Sequence, residues 1–214
     1  MPHNIFIVIL CLIYSLLNFA KANDDENRND TVKKRNSLIA LPYAFYSPET
    51  KIAFGVGSIY SFRPIEADLS VKPSNIKMAA TYTQRQQIIL SFIPEIYFRD
   101  HNYLYNGFYT YYNYPDKFWG FGNNTTNANE EKFTPYLLRT WTNLQKRIFN
   151  GFYIGVRYQF EWIDIHTTSA DGVLQLKDNK QYPGSEGGKA SGLGLIFNYD
   201  TRNHIYYPTS GRYY

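Results

Sequence analysis

GFYIGVRYQFEWIDI, residues 151–165, reads with a period of two. Phe152, Ile154, Val156, Tyr158, Phe160 and Trp162 share one parity; Tyr153, Gly155, Arg157, Gln159 and Glu161 share the other. Successive side chains of a strand point to opposite faces, so this segment presents one apolar, aromatic face and one polar face. In a soluble sandwich the apolar face would meet a core. Two features favour a bilayer instead. The segment outruns the usual strand of about five or six residues, and it meets the length of about 9–11 residues that a tilted strand needs to cross a membrane. On the polar parity, Arg157, Gln159 and Glu161 are candidate lumen-lining residues.

The same alternation recurs along the chain. Ile52, Phe54, Val56, Tyr60 and Phe62 alternate with Ala53, Gly55, Gly57 and Ser61. Ile76, Met78, Ala80 and Tyr82 alternate with Lys77, Ala79, Thr81 and Thr83, and Ile88, Leu90 and Phe92 follow. Residues Tyr103 to Tyr114 carry rings on both parities, and Leu193, Leu195, Phe197 and Tyr199 alternate with Gly192, Gly194 and Asn198. Gly55, Val56, Gly57 and Ser58 therefore read as a small-residue strand face and not as a phosphate loop, which would open a helix. Small inner residues let a barrel wall curve. Tyrosine at strand ends suits a bilayer interface, where the ring is apolar and the hydroxyl meets water. The pattern predicts an all-β fold, an antiparallel transmembrane β-barrel of about eight strands up to Tyr199. Short turns are expected at Ser47 to Thr50, Thr83 to Arg85, Arg99 to Asn102 and Phe149 to Asn150. Longer segments, 63–74, 115–131 and 166–189, are expected as outer loops.

Composition agrees with this reading. Aromatic residues make up 18% of the chain, with 21 tyrosines and 15 phenylalanines, while the mean hydropathy is −0.42. A polar average with so many rings excludes a helical membrane bundle and points to alternating strands. The net charge of +4 comes with no basic cluster beyond Lys33, Lys34 and Arg35, so nucleic acid is not an expected partner.

The first 22 residues read as a secretory signal peptide. Ile5 to Leu17 is a short apolar run, followed by Ala20, Lys21 and Ala22 as an A-x-A cleavage site before a polar stretch. Residues 23–36 are charged and Asn-rich without periodicity, a disordered periplasmic lead-in, and 37–214 are the barrel portion. The lone cysteine, Cys11, lies in the leader, so the 214 residues less these 22 leave 192 with no thiol. That excludes disulfide staples, Cys-ligated zinc and a thiol nucleophile from the exported portion.

The carboxy-terminal part carries Asp200-Thr201-Arg202-Asn203 and then Pro208-Thr209-Ser210-Gly211 before a new strand start. With PYAFYSPETKIAFGVGSIYSF, KPSNIKMAATYTQRQQ and FWGFGNNTTN, this order resembles the bacterial surface antigen superfamily of BamA/TamA-like outer-membrane barrels. The similarity is to its short members without periplasmic POTRA repeats, over about residues 38 to 214. It implies a non-enzymatic protein of the bacterial outer membrane, in outer-membrane protein or lipid assembly. Its implied partners are membrane lipid, the barrel assembly machinery during insertion, and client proteins or a missing barrel half. Asp200, Arg202, Pro208, Thr209 and Gly211 are then signature residues of structural kind. Asp200 and Arg202 share a parity and pair along one face, Pro208 fixes φ and Gly211 permits a positive φ. Asn203 departs from the family's usual aspartate. The resemblance also implies sixteen strands, about 320 residues at roughly 20 per strand and connection, so the chain is expected to be a truncated copy or a fragment.

Enzyme chemistry is sparse. There is no Gly-x-Ser-x-Gly elbow, and His101, His166 and His204 are scattered, which argues against a metal centre. Asp164 and His166, at matched parity near a strand end, are the one pair that an outer-membrane hydrolase would use. No cofactor is expected. A passive pore lined by Arg157, Gln159 and Glu161 is the second reading, and a hydrolase the third.

Overall fold

The computed structural model describes residues 36–63, 72–98, 101–120, 122–167, 184–203 and 207–214. The leader and almost all of the 23–36 segment, with His204, lie outside the described residues. What is described is all-β. In chain order the strands are β1 (Ser37–Ser47), β2 (Lys51–Phe62), β3 (Ser74–Thr83), β4 (Ile88–Phe98), β5 (Tyr103–Asn113), β6 (Asp116–Phe118), β7 (Glu131–Phe149), β8 (Phe152–Thr167) and β9 (Gly187–Tyr199). Every pairing is antiparallel, in the order β1-β2-β3-β4-β5-β7-β8-β9, with the short β6 on β7. The main path thus holds eight long strands, and β6 is an addition that three residues of sequence do not announce. The sheet is open: β1 and β9 are its edges and do not pair with one another.

Pairing carries the period of two from strand to strand, because residues directly opposite share a face. Val56 stands opposite Ala80 and Pro42, Leu90 opposite Ala80 and Tyr111, and Val156 opposite Leu144 and Leu195. One face therefore gathers the apolar parity of β2, β3, β4, β8 and β9, while β1 and β7 carry apolar side chains on both faces. The other gathers Asn75, Thr81, Glu95, Asn106, Thr110, Asn143, Gln145, Arg157, Gln159 and Glu161.

Burial is inverted relative to a water-soluble sheet. The largest fully buried side chains are mostly polar, Gln87, Gln145, Asn75, Asn143, Thr83 and Thr110 among them, whereas Leu193 is 84% exposed and Leu195 72%. On the polar face Asn75, Thr81, Thr110, Asn143 and Gln145 are buried although no second layer covers them among the described residues, so the sheet curls towards that side. Contacts between distant strands agree: Tyr97 of β4 and Tyr153 of β8 cluster with Leu104 of β5 across the concave face.

Call the end where β1 begins the near end. There β2, β4, β7 and β9 end and β3, β5 and β8 begin. The turns at 47–51 and 83–88 lie at the far end, where β5 and β8 end and β7 and β9 begin. Of the longer segments expected as outer loops, 64–71 and 168–183 lie outside the described residues; β2 ends at the near end whereas β5 and β8 end at the far end, so the three do not leave the sheet on one side, which corrects that expectation. Each end mixes short turns with longer links, since a strand's direction alone decides where its connection falls. Three hairpins end on a residue of positive φ, namely Lys51 (59°), Gln86 (63°) and His101 (66°). Asn or Gly is the usual occupant, and side chains there cost roughly 1 kcal/mol, so turn composition alone underreports these hairpins.

The edge strand β1 is held by an inlaid ring. Tyr43 lies across Gly55 of β2, where an added Cβ would collide with the Ala80 carbonyl oxygen and stand 2.6 Å from the Tyr43 ring. The tyrosine hydroxyl thereby reaches Thr81 Oγ1 of β3 at 2.5 Å. Gly55 is thus the slot that ties β1 to β3, two strands away.

Candidate functional site

The signature residues gather at the near end. Asp200 follows β9 directly, and its Oδ1 accepts bonds from the Arg202 backbone N–H (3.0 Å) and Nε (2.9 Å), while Oδ2 accepts from Nη2 (3.0 Å). The same Oδ2 lies 3.0 Å from Lys72 Nζ. Lys72 sits just before β3, five strands from β9 along the path, so this ion pair crosses the concave face. The Asp200 side chain is only 9% exposed. Burial pushes its pKa up, but the bonds from Arg202 and Lys72 outweigh this and leave it below the usual carboxylate value. The Arg202 guanidinium stacks 4.3 Å over the Tyr213 ring, and its pairing with Asp200 raises its own pKa.

Beyond Arg202 the chain reverses. Asn203 Oδ1 accepts the backbone N–H groups of Thr209 (3.0 Å) and Ser210 (3.1 Å), and its Nδ2 donates to Thr209 Oγ1 at 2.7 Å. An aspartate could accept the first two bonds but could not donate the third. Pro208 stands exposed in this turn. Gly211 has φ of 97°, and a Cβ there would run into the Thr201 carbonyl. Each signature residue except Pro208 has a contact that explains it as turn architecture. The returning residues then pair on the outer edge of β9: Tyr199 and Tyr214 exchange two bonds of 2.9 Å, and Thr201 N–H donates to the Arg212 carbonyl at 2.9 Å.

Next to this cluster, Tyr97 donates to Glu95 Oε1 at 2.9 Å and stacks on His101 with ring centroids 4.4 Å apart. Tyr153 donates to the His101 carbonyl at 3.1 Å. His101 is thus a packing and backbone partner of two inner tyrosines. Together with Lys72, Asp200 and Arg202 these side chains occupy the concave side at the near end.

Arg157, Gln159 and Glu161 all lie on the concave face, as their parity predicts, but each is engaged differently. Arg157 Nε donates to Asn143 Oδ1 at 2.8 Å, and its guanidinium lies 4.8 Å from the Trp141 ring. Glu161 pairs with Arg139 of β7. Gln159 is exposed and packs its side chain beside Gly192. Behind them runs an amide ladder: Asn143 Nδ2 (3.1 Å) and Gln145 Nε2 (2.8 Å) both donate to Asn106 Oδ1. Sequence reading passed over Asn106, Asn143 and Gln145. Their signal was inner parity, visible only once the long β7 is paired with β5 and β8.

Asp164 and His166 do pair, with His166 Nε2 2.9 Å from Asp164 Oδ2, and both side chains are well exposed. They lie on the convex parity at the far end, with His166 edge-on to Tyr136. No serine hydroxyl among the described residues hydrogen-bonds to His166. Among the described residues, no group of three or more His, Cys, Asp or Glu side chains is placed to hold a metal ion.

No protein-family model, curated protein or solved structure matches this chain.

Proposed function

We propose that this chain forms part of the wall of an outer-membrane β-barrel, similar to POTRA-less members of the surface antigen superfamily, with a non-enzymatic role in outer-membrane protein or lipid assembly. The observation that carries the reading is the inverted burial: amide and hydroxyl side chains inside, leucines and aromatics outside. In water such an exterior is a large apolar patch that monomeric proteins avoid; in lipid it is the expected surface.

Aromatic side chains gather at both ends of the convex face. Phe98, Tyr103, Phe149, Phe152 and Tyr199 lie towards the near end, and Tyr46, Tyr82, Tyr111, Tyr136 and Trp162 towards the far end. Between them lie aliphatic residues such as Ile154, Val156, Leu144 and Leu195, together with the rings of Phe92, Tyr109 and Tyr158. From Phe152 to Trp162, at about 3.3 Å per residue and a tilt of about 40°, the depth spanned is about 25 Å, the height of a barrel's apolar band. Placing the near end on the periplasmic side puts the far ends of β5, β7, β8 and β9 outside.

Cell fractionation and gel mobility test this reading. The exported chain is expected in the outer-membrane fraction and to shift in mobility between unheated and boiled samples. Recovery as a soluble periplasmic protein would refute it. The crowded near end favours a scaffold over the rival open pore, and planar-bilayer recordings are expected to show no steady ion conductance.

A further inference from the structure

We propose that the concave face binds an amphiphile with an oxyanion head, a carboxylate or a phosphate, through Arg157 of β8, with Gln159 as a second donor and the apolar chain laid against Phe108 and Trp141. The inference rests on the membrane-wall reading, which makes the concave face a lumen, and adds a ligand to it.

The site begins with how Arg157 is held. Its Nε donates to Asn143 Oδ1 at 2.8 Å, and its guanidinium lies 4.8 Å from the centre of the Trp141 ring. Asn143 is itself oriented. It is fully buried, and its Nδ2 donates to Asn106 Oδ1, which also accepts Gln145 Nε2. With Nδ2 spent there, Oδ1 is the atom that faces Arg157. One edge of the guanidinium is thereby fixed, while Nη1 and Nη2 have no partner among the described residues. Arg139 and Arg202 each meet a carboxylate, Glu161 and Asp200; Arg157 meets none among the described residues. A guanidinium held in place with a free planar fork is matched by two oxygens of one carboxylate or phosphate.

Gln159 adds its carboxamide. It follows Arg157 by two residues on the same face of β8, about 7 Å along the strand. Its amide makes no hydrogen bond to a described residue, and the side chain is exposed. An Nε2–H can therefore reach the same head group.

The neighbouring rungs distinguish an amphiphile from a bare anion. The rung through Arg157 is polar: Glu95 stands opposite Asn106, Asn106 opposite Asn143, and Asn143 opposite Arg157. The next rung towards the far end is largely apolar. Ile59 and Ile93 flank Lys77 there, and Phe108 stands opposite Trp141, which stands opposite Gln159. The Phe108 and Trp141 rings stack with centroids 6.1 Å apart and planes 19° apart. These four apolar side chains are half-buried and share the concave face with amides and hydroxyls. A barrel interior is expected to be polar, so an apolar rung on it calls for an apolar neighbour. Arg157 reaches over Trp141 at the border of the two rungs. Its free donors suit a charged head, and the rung beside it suits a chain. The positive charge of Lys77 on that rung favours the same sign of ligand.

Photolabelling of the protein folded into phosphatidylcholine vesicles tests this. Three probes share one twelve-carbon chain with a diazirine at its middle and end in a carboxylate, a phosphate or an alcohol; mass spectrometry locates the labelled residues. The alcohol is expected to mark only convex residues such as Val156 and Leu195. At least one anionic probe is expected to mark Ile93, Phe108 or Trp141 as well, with saturation. The head that does so names the source, a free fatty acid or a phosphorylated lipid. Arg157→Gln removes charge-assisted bonds and should raise the half-saturating concentration about 10- to 100-fold, with convex labelling unchanged. Competition in the wild type makes the same test should that variant fail to fold: dodecanoate or dodecyl phosphate must suppress the concave label and dodecanol must not. Concave residues left unlabelled, labelled without saturation, or labelled equally by the alcohol would overturn the site while the convex label still upholds the wall. Unchanged half-saturation in a folded Arg157→Gln variant would overturn it too. Absence of convex label from every probe would refute the wall reading and the site with it.

Discussion

Replacing Val156 by lysine separates a lipid-facing sheet from a water-facing one. Val156 is 54% exposed on the convex face of β8. It lies almost midway between Phe152 and Trp162, hence near the centre of the proposed apolar band. Its cross-strand neighbours there are Leu144 and Leu195. In water, a change at a half-exposed strand position with no special backbone role alters stability by about 0.5 kcal/mol or less. At a bilayer midplane, lysine on the lipid face of a barrel costs about 2–4 kcal/mol. The assay is urea unfolding of protein folded into phosphatidylcholine vesicles. With a slope of about 2 kcal/mol per molar, the midpoint should fall by about 1–2 M. The same substitution at Gln159, on the concave face, should move it by a small fraction of that. Equal, small shifts at the two positions would refute the claim that the convex face meets lipid.

Other outcomes follow from the geometry. Gly55→Ala should destabilise by about 1–3 kcal/mol through overpacking against Ala80 and Tyr43, where an ordinary strand glycine would gain by the change; Tyr43→Phe should lose about 0.5–1.5 kcal/mol, both read from urea midpoints. The Asp200 pKa is depressed in the folded state, so its contribution is present above the ordinary carboxylate value near 4 and is lost as pH falls through the lower, folded value. Asp200→Asn should therefore lower the midpoint at pH 7, with the gap to the wild type closing as pH falls below about 4; a gap that stays constant would show that the ion pair is not its cause. Asp164→Ala with His166→Ala should leave any esterase or protease activity of the purified protein at background, unchanged from the wild type; activity abolished by the pair would restore the hydrolase reading.

The strand period, the aromatic ends and the two faces were legible in sequence because alternation is local. Two dihedral angles per residue force neighbours to opposite sides, and no distant contact is needed to see it in Phe152 to Trp162. The Asp200–Arg202 pair was legible for the same reason, since two residues of one parity lie two positions apart. Gln87 and Gln145 were not. Their burial depends on which strand lies beside them and on how sharply the sheet curls. The alternation of β7 was blurred as well, with Leu137 and Trp141 on its inner parity and Thr140 and Thr142 on its outer.

Lys72 marks the boundary between the two kinds of knowledge. Nothing in its neighbourhood distinguishes it from any other surface lysine, yet it meets a carboxylate 128 positions later in the chain, at Asp200. The sequence by itself determined the strands and which side chains share a face, because pleating acts between adjacent residues. Only the tertiary structure decided register, curl, the near-end ion cluster and the open edges. These depend on hydrogen-bond ladders and close packing between segments that the chain brings together from far apart.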